Sequence, residues 1–409
     1  MVVVGGGQAA GRAVEAMRGA GFAGPIVVVG AERHPPYERP PLSKAVLIGD
    51  AEPETCAIHP PAYYRENDIA LRLGVRATAI DRGERRLALD DGETLAYDRL
   101  LLATGSVVRR LAVPGADHPR VRTLRDIADA LAIRARLSVG ARIVVIGGGY
   151  LGLEVAAAAR LRGAEVTVLE AQDRVLCRGV TPEVAAFVAA LHRRHGVVLR
   201  TGVGIERFEG GSEGVRVRLA GGEALDADLV FVGIGVAPAV ALAEAAGLAV
   251  GDGIVVDVCG RTSDPVIFAA GDVTDHPSPR LGRRVRLESW ANDQNQAIAA
   301  ARSLCGIETV YDALPWFWTD QYEVSLQLVG LPERWDRTVL RGAMNEGRFI
   351  AFYLDRGRVV GAAAAGLPRE AQIARRLIEA GCVVAPNRLA DEGLALRAIL
   401  KEGRSLSGC

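Results

Sequence analysis

The sequence predicts an α/β protein in which two Rossmann-like domains are followed by a C-terminal α+β domain. Two glycine-rich turns, 142 residues apart, each follow a short β-branched run and precede a helical stretch. Later apolar runs end in small-residue turns, and the composition changes from Leu314 onward. A strand, a glycine-rich turn and a helix in this order are typical of the Rossmann-like unit.

Length and composition set the limits of the prediction. The 409 residues are enough for two or three domains, and 49% hydrophobic with 24% charged residues is ordinary for a globular protein. The formal net charge of zero gives no sign of nucleic-acid binding, and no apolar run is long enough to cross a bilayer. Met1 leads directly into a strand, so we expect no secretory leader and a cytoplasmic protein. The six cysteines form no closely spaced pair, so we expect no metal site and no redox disulfide.

The first glycine-rich turn follows Val2–Val4 and fits the pattern G-x-G-x-x-A. Glycine permits a tight turn and lets the backbone approach a pyrophosphate, while the helix that follows offers free N–H groups. Glu32, after the next strand, could accept hydrogen bonds from a ribose, although a loop with a surface glutamate would look the same. The candidate cofactor-binding residues here are Gly5, Gly7, Ala9, Ala10 and Glu32.

The second glycine-rich turn follows Ile143–Ile146 and fits G-x-G-x-x-G more closely. Glu170 ends the next strand, where a carboxylate binds the ribose hydroxyls of NADH and repels the 2′-phosphate of NADPH. Arg174 and Arg178 follow closely and keep NADPH open, because arginine can accept that phosphate. The candidate NADH-binding residues here are Gly147, Gly149, Tyr150, Gly152, Glu170 and Arg178.

Three further apolar runs end in small residues, after Leu102, Val232 and Ala270. The last of these leads into Gly-Asp, which would direct a carboxylate at hydroxyl groups of the first dinucleotide. The candidate cofactor-binding residues at these turns are Ala103, Thr104, Gly105, Gly235, Gly271 and Asp272.

The order of these turns predicts a nested arrangement of domains. We expect an FAD-binding domain over residues 1–109 and 239–311, interrupted by an NADH-binding domain over residues 110–238. Residues 312–409 would form the C-terminal α+β domain, with alternating strands such as Val324–Val329.

These motifs, in this order, resemble the FAD-dependent pyridine nucleotide–disulfide oxidoreductase superfamily, which has the glutathione-reductase-like fold. Three segments narrow the resemblance to the NADH:ferredoxin reductases of bacterial oxygenase systems. The segments are Pro36–Lys44, Arg286–Trp290 and Pro315–Tyr322. The resemblance implies FAD and NADH as cofactors and a small 2Fe–2S ferredoxin, expected to be acidic, as partner. That ferredoxin would supply a cytochrome monooxygenase or a ring-hydroxylating dioxygenase.

The resemblance also implies roles for residues that bind FAD. Arg39 and Lys44 would lie beside the isoalloxazine ring, with Lys44 near N5. Ala77 would contact the adenine, and Arg122 would reach the FAD from the region between the two turns. Trp290 would hold the pyrimidine edge of the flavin, and Asp272 would bind the ribityl chain.

Three residues are implied in electron transfer. Lys44 is one of only two lysines in the chain, and its ammonium would stabilise negative charge on reduced flavin. Glu154 would face the nicotinamide, and Trp318 would lie near the flavin on the side of the redox partner. We predict Trp316 to be a core residue of the C-terminal domain.

Flavin can link a two-electron donor such as NADH to a one-electron iron–sulfur acceptor. Alternatives are a monodehydroascorbate or rubredoxin reductase of the same build, or a flavin-bearing NADH-sensing signalling protein. Four arginines within seven residues could form a basic patch that steers an acidic ferredoxin, or an ordinary solvated loop. These are Arg280, Arg283, Arg284 and Arg286.

Overall fold

In a computed structural model the chain is described over residues 1–177, 179–210 and 214–406. The first strands, in chain order, are β1 (Val2–Val4), β2 (Ile26–Gly30), β3 (Ile69–Leu73), β4 (Ala77–Asp81), β5 (Arg86–Leu89), β6 (Thr94–Ala96), β7 (Leu100–Leu102), β8 (Ser106–Val108) and β9 (Val121–Arg122). The next are β10 (Arg142–Ile146), β11 (Glu165–Glu170), β12 (Val198–Thr201), β13 (Ile205–Glu209), β14 (Val215–Leu219), β15 (Ala224–Ala227), β16 (Leu229–Val232) and β17 (Val236–Pro238). The last are β18 (Ile254–Val255), β19 (Ile267–Ala269), β20 (Thr274–Ser278), β21 (Arg283–Val285), β22 (Trp316–Gln321), β23 (Val324–Val329), β24 (Arg337–Ala343), β25 (Arg348–Asp355) and β26 (Arg358–Ala365).

The helices form a second series along the chain. They are α1 (Gln8–Gly19), α2 (Ala45–Ile48), α3 (Pro61–Glu66), α4 (Ile127–Arg134), α5 (Tyr150–Leu161), α6 (Pro182–Arg194), α7 (Ala241–Ala245), α8 (Trp290–Leu304), α9 (Pro368–Glu379), α10 (Pro386–Ala390) and α11 (Leu396–Leu406). Short 3₁₀ turns cover Pro40–Ser43, Pro53–Cys56 and Met344–Glu346. Among the described residues, no helix is long and apolar enough to cross a membrane.

The described chain divides into two compact units. The first contains Met1–Pro40, Pro53–Val107 and Val236–Pro315, and the second contains Pro41–Glu52, Val108–Gly235 and Trp316–Cys409. Two features differ from the predicted boundaries. Residues 41–52 join the second unit, because α2 packs against α4 and α5. The C-terminal strands belong to the same unit as residues 108–235 because they share a hydrophobic core with α5 and α6.

The first unit is built on a parallel sheet with strand order β19-β7-β1-β2-β3. All three residues of β1 are buried, as expected for a parallel strand covered on both faces. Val3 packs with Val14 and Met17 of α1 and with α8, whereas Val2 and Val4 join the core on the other face. Because the strands are parallel, their carboxyl ends lie at the same edge of the sheet. Gly5 follows β1 and Glu32 follows β2 at this edge.

The second unit contains a parallel sheet in the order β12-β11-β10-β16-β9. The last four residues of β10, Ile143–Ile146, are buried, and β10 lies between the neighbouring strands β11 and β16. Backbone bonds continue past the strand end, from Gly147 N to Leu169 O at 2.8 Å and from Gly233 N to Ile146 O at 2.8 Å. The second glycine-rich turn is thereby fixed at the carboxyl edge of the sheet.

The second unit also contains an antiparallel sheet with strand order β22-β23-β26-β25-β24. Its core strand β26 ends in four alanines, and Phe349 and Phe352 of β25 lie opposite Ala365 and Ala362. Small residues beside large ones let both faces of the sheet pack tightly. Phe349 meets Phe187 of α6 at 5.0 Å between ring centroids, while Phe352 packs with α9 and α11 on the other face.

Candidate functional site: two dinucleotide turns and a lysine–glutamate pair

The first glycine-rich turn is closely packed between strand ends. Gly5 has φ +136°, and a Cβ at this position would lie 2.1 Å from the carbonyl oxygen of Ala103, so only glycine fits. Ala9 and Ala10 are buried at the start of α1. Within the described part of the chain, the buried amide of Gln8 has no hydrogen-bond partner for its oxygen or its nitrogen. A buried amide without partners is costly, so this turn fits a polar ligand such as a pyrophosphate.

Glu32 is held by two side chains at the end of β2. Arg39 Nη2 donates to Glu32 Oε1 at 2.7 Å, and the hydroxyl of Tyr37 donates to Oε2 at 2.5 Å. Arg39 Nε lies 4.0 Å from where a Cβ of Gly7 would be. The structure therefore places Arg39 with Glu32 and the glycine-rich turn. The resemblance implied a position beside the isoalloxazine ring, and that position stays a prediction.

The Gly-Asp turn after β19 is fixed by helix α8. Gly271 N donates to Gln296 Oε1 at 2.8 Å, and Asp272 N donates to Asp293 Oδ1 at 2.9 Å. The buried carboxylate of Asp272 accepts a hydrogen bond from the hydroxyl of Ser106 at 2.7 Å. The predicted ribityl-binding carboxylate is thus rigidly oriented, and Gln296 and Asp293 are supporting residues that sequence reasoning missed.

The other residues predicted to bind FAD have simpler surroundings. Thr104 Oγ1 donates to the carbonyl oxygen of Ala239 at 3.0 Å, and Gly105 has φ +66°. Ala77 begins β4 and packs half-buried against the core under β1. Trp290 is the first residue of α8, directly after the capping residue Ser289.

The second glycine-rich turn is as tight as the first. Gly147 has φ +103°, and a Cβ there would lie 2.4 Å from Gly233 O. A Cβ on Gly152 would lie 2.0 Å from Gly147 O, whereas one on Gly149 would meet no described atom within 4 Å. Gly149 therefore leaves one side of the turn open for a ligand.

Among the described residues, the carboxylate of Glu170 is bound by backbone N–H groups and not by side chains. Gly148 N donates to Oε2 at 2.6 Å and Gln172 N donates to Oε1 at 2.8 Å. Arg174 is engaged elsewhere, since it donates to Cys177 O at 3.1 Å and pairs with Asp173 at 3.4 Å. Arg178, the other predicted phosphate acceptor, lies outside the described residues.

Two further predicted NADH-binding residues lie beside this turn. Tyr150, the first residue of α5, meets Phe317 with 4.5 Å between ring centroids. Its hydroxyl is buried without a hydrogen-bond partner in the described ranges, and burial raises the pKa of that phenol. Gly235 has φ +98°, and its carbonyl oxygen accepts a bond from Arg109 N at 3.0 Å.

Lys44 and Glu154 form an ion pair at the start of α2 and on α5. Lys44 Nζ lies 2.8 Å from Glu154 Oε1, and Glu154 is only 6% exposed. Ser43 Oγ donates to Oε2 at 2.5 Å, and Thr319 Oγ1 donates to Oε1 at 2.7 Å. Three donors therefore hold one buried carboxylate, as a buried charge requires. Sequence reasoning missed Ser43 and Thr319, although both lie within segments that carried the resemblance.

Trp318 and Thr319 occupy opposite faces of β22 because side chains alternate along a strand. Trp318 Nε1 donates to Asp320 Oδ2 at 3.1 Å. Trp316 stacks on Trp318 with 4.9 Å between ring centroids. The prediction of Trp316 as a core residue is wrong, since both indoles are half-buried.

Arg122 lies on β9, paired in register with Phe231 of β16. Its Nε is buried and has no hydrogen-bond partner within the described ranges. The nearby Asp129 is half-buried, and loss of solvent raises the pKa of its carboxyl group. An incompletely bonded guanidinium fits a ligand that brings an anion or a carbonyl group.

The arginines between 280 and 286 are largely neutralised. Arg280 pairs with Asp312 at 3.1 Å and Arg284 with Asp275 at 3.0 Å, while Arg286 pairs with carboxylates of its own unit. Of the two alternatives for this segment, an ordinary surface loop fits these three residues better than an uncompensated basic patch. An acidic ferredoxin stays a prediction that this segment does not support.

The described cysteines are free thiols. Of the described cysteines, the free thiols are Cys56, Cys177, Cys259, Cys305 and Cys382. None of these residues takes part in the hydrogen bonds around Lys44, and burial raises the pKa of the Cys56 thiol. A thiol with a raised pKa is a poor nucleophile.

Two glycine-rich turns of the dinucleotide-binding type, each with a carboxylate at the end of the following strand (Glu32 and Glu170), are typical of a flavin- and nicotinamide-dependent oxidoreductase. The chain belongs to the pyridine nucleotide-disulphide oxidoreductase family, whose model matches residues 1–297, and a reductase C-terminal domain matches residues 316–400. The cofactors of this family are FAD and NAD(H). The predicted family and fold class are confirmed.

Relatives match along nearly the whole chain. The ferredoxin–NAD(+) reductase component of the anthranilate 1,2-dioxygenase system from Burkholderia cepacia is 46% identical, over 98% of each chain. Putidaredoxin reductase from Pseudomonas putida is 41% identical, over 99% of this chain and 97% of the relative. The covalent putidaredoxin reductase–putidaredoxin complex matches with a TM-score of 0.95 and 41% identity, over 99% of this chain and 98% of the other.

Proposed function

We propose that the protein is an FAD-dependent NADH:ferredoxin reductase that passes electrons from NADH through flavin to a 2Fe–2S ferredoxin. That ferredoxin would supply an oxygenase, either a cytochrome monooxygenase or a ring-hydroxylating dioxygenase. The observation that carries the proposal is the presence of two dinucleotide turns in a chain that resembles oxygenase-system reductases over its whole length. Because NADH is a cytoplasmic coenzyme, we place the reductase in the cytoplasm.

The residues of the first unit suit an extended dinucleotide. We assign the FAD-binding domain to residues 1–109 and 239–311, except that residues 41–52 pack within the other unit. Gly5 and Gln8 would hold the pyrophosphate, Glu32 the adenosine ribose, and Asp272 the ribityl hydroxyls. Bound FAD would accept hydride from NADH and return electrons singly to an iron–sulfur partner.

We assign NADH binding to residues 110–238. Glu170 would accept hydrogen bonds from both ribose hydroxyls, while its charge would repel the 2′-phosphate of NADPH. Within the described residues no cation pairs with Glu170, so the repulsion is not offset there. Tyr150 and Gly149 would line the side of the turn that the backbone leaves open.

Lys44 and Glu154 are the charged pair that would serve hydride transfer. The Lys44 ammonium would stabilise the negative charge that reduction brings, and Glu154 would fix where that ammonium points. No cysteine occurs in the Leu42-Ser43-Lys44 segment, and the Ser43 hydroxyl donates a hydrogen bond to Glu154. Electrons would therefore leave from the flavin, past Trp318, and not through a thiol.

The test is aerobic oxidation of NADH by FAD-loaded protein, with and without a panel of 2Fe–2S ferredoxins, using cytochrome c as the final acceptor. We expect a rise of at least tenfold with one or more ferredoxins and little consumption of oxygen. Equal turnover with monodehydroascorbate alone would favour a small-molecule reductase. A long-lived complex of reduced protein and NAD that ignores every ferredoxin would favour the signalling alternative.

A further inference from the structure

A continuous chain of buried polar groups runs from Glu154 to the turn between β22 and β23. Thr319 Oγ1 accepts from Gln321 Nε2 at 3.1 Å, and Gln321 Oε1 lies 2.8 Å from His192 Nε2. The hydroxyl of Tyr322 then lies 3.4 Å from His192 Nδ1. His192 is fully buried, and Gln321 and Thr319 are nearly so.

The direction of these hydrogen bonds follows from the carboxylate at one end. Glu154 accepts only, so the Thr319 hydroxyl must donate to it and must accept from the Gln321 amide nitrogen. The amide oxygen of Gln321 then faces His192 Nε2, which must carry the proton. His192 Nδ1 is left as an acceptor for Tyr322, so every donor points toward Glu154.

Burial keeps this arrangement stable at neutral pH. It lowers the pKa of His192 to about 4, so the ring is neutral and can be a donor at Nε2 and an acceptor at Nδ1. Tyr322 holds a left-handed backbone conformation, with φ +55°, in the two-residue turn that brings its ring to His192. Such a conformation is costly for tyrosine and is maintained where packing requires it.

We propose that Tyr322, His192, Gln321 and Thr319 are positioning residues that fix the Glu154 carboxylate and, through it, the ammonium of Lys44. The proposal rests on the role in hydride transfer proposed above for the Lys44–Glu154 pair. A chain of aligned donors ending on a negative charge strengthens each of its bonds and holds the carboxylate in one orientation. The C-terminal domain, through β22, would then contribute to flavin reduction as well as to contact with the redox partner.

The tautomer of His192 is the first test and needs no turnover. In protein with ¹⁵N-labelled histidine at pH 7, we expect the His192 ring to carry its proton on Nε2, identified as the signal missing from His192→Gln. In Gln321→Met, which removes the acceptor at similar volume, that preference should be lost. A proton on Nδ1 in the unaltered protein would overturn the direction of the chain and with it the proposal.

The second test measures flavin reduction by NADH in a single turnover. We expect Thr319→Val to slow reduction roughly fivefold or more, with the Kd for NADH within about twofold, because the lost hydroxyl acts on orientation. Thr319→Ser should restore the rate. Thr338→Val, an exposed threonine on the opposite edge strand β24, is the matched control and should resemble the unaltered protein.

Two further variants, Glu154→Gln and Lys44→Ala, distinguish a failure of the positioning chain from a failure of the role proposed for Lys44. In Glu154→Gln protein the Thr319→Val change should have no further effect, since the two act through one carboxylate. If Lys44→Ala slows reduction and Thr319→Val does not, the positioning chain is refuted while the proposed function stands. If Lys44→Ala also leaves the rate unchanged, the role of the Lys44–Glu154 pair is refuted together with the positioning chain, and the ferredoxin assay decides the proposed function separately.

Discussion

The two glycine-rich turns share a motif and differ in what binds the carboxylate that follows each. Glu32 is clamped by the side chains of Arg39 and Tyr37, whereas Glu170 is bound by the backbone N–H groups of Gly148 and Gln172. A carboxylate neutralised by arginine suits a cofactor that stays in place. A carboxylate whose charge is not offset by any described side chain suits a coenzyme that must be discriminated and then released. We therefore propose that the first turn retains FAD and that the second turn selects the nicotinamide coenzyme.

Removing the glycine that closes the second turn should have the largest effect. In Gly152→Ala the new Cβ would lie 2.0 Å from Gly147 O, so the turn must open and NADH-dependent flavin reduction should fall at least ~100-fold. FAD content, read from the flavin-to-protein absorbance ratio, should be unchanged. Gly19→Ala, where a Cβ meets no described atom within 4 Å, is the matched control.

The corresponding substitution in the first turn, Gly5→Ala, tests whether that turn binds FAD. Gly5→Ala should release FAD, because its Cβ would lie 2.1 Å from Ala103 O. Loss of FAD from Gly152→Ala, with NADH binding retained, would reverse the assignment of the two turns.

The pH dependence of stability should come from one buried histidine in each unit. Burial lowers the pKa of His192 and of His276 to about 4, from 6.5. Between these values the unfolded chain binds more protons, so stability is complete above pH ~6.5 and declines as the pH falls toward ~4. We expect each histidine to account for roughly 2 kcal/mol between pH 7 and pH 5.

Urea unfolding at these two pH values would measure the effect. His192→Gln and His276→Gln should each remove roughly 2 kcal/mol of this pH dependence, whatever their stability at pH 7. A variant that keeps the full dependence would mean that its histidine is already protonated or already exposed in the folded protein.

The preference for NADH over NADPH should depend on Glu170 and not on Glu32. Glu170→Ala should lower the ratio of kcat/KM for NADH over NADPH by about tenfold or more, because the repulsion of the 2′-phosphate is lost. Glu32→Ala should leave that ratio unchanged and weaken retention of FAD. An unchanged ratio in Glu170→Ala would mean that another residue selects the coenzyme.

The smallest effect is expected from substitution of Arg39, which should change only the rate of FAD dissociation. Arg39→Ala should speed the dissociation of FAD by roughly fivefold, since Glu32 loses its cation. Arg39→Lys should rescue poorly, because one ammonium cannot bind Glu32 and Tyr37 in the way the planar guanidinium does. Unaltered FAD retention with a shifted flavin spectrum would instead place Arg39 beside the ring.

The sequence predicts the parts of the fold that depend on local pattern. The predicted strands Val2–Val4 and Val324–Val329 agree with the observed ones, because buried runs and alternation are visible in the residues themselves. The tight turns at Gly5 and Gly147 were predictable because the backbone requires glycine there.

Contacts between distant parts of the chain were not predictable in this way. Ser43 meets Glu154 across 111 residues, and His192 meets Gln321 across 129 residues. No local pattern in the sequence identifies the partners of these buried polar residues. The pairing of Arg280 with Asp312 is likewise a property of the folded chain, which is why the sequence left a basic patch and a solvated loop as alternatives.

The most direct test of the proposed function is an anaerobic two-step mixing experiment. FAD-loaded protein is mixed first with NADH or NADPH and then with an oxidised 2Fe–2S ferredoxin, while flavin absorbance is followed. We predict rapid loss of flavin absorbance with NADH, much slower loss with NADPH, and recovery in one-electron steps when the ferredoxin is added. Reduction that does not distinguish the coenzymes, or reduced flavin that no ferredoxin reoxidises, would contradict the account.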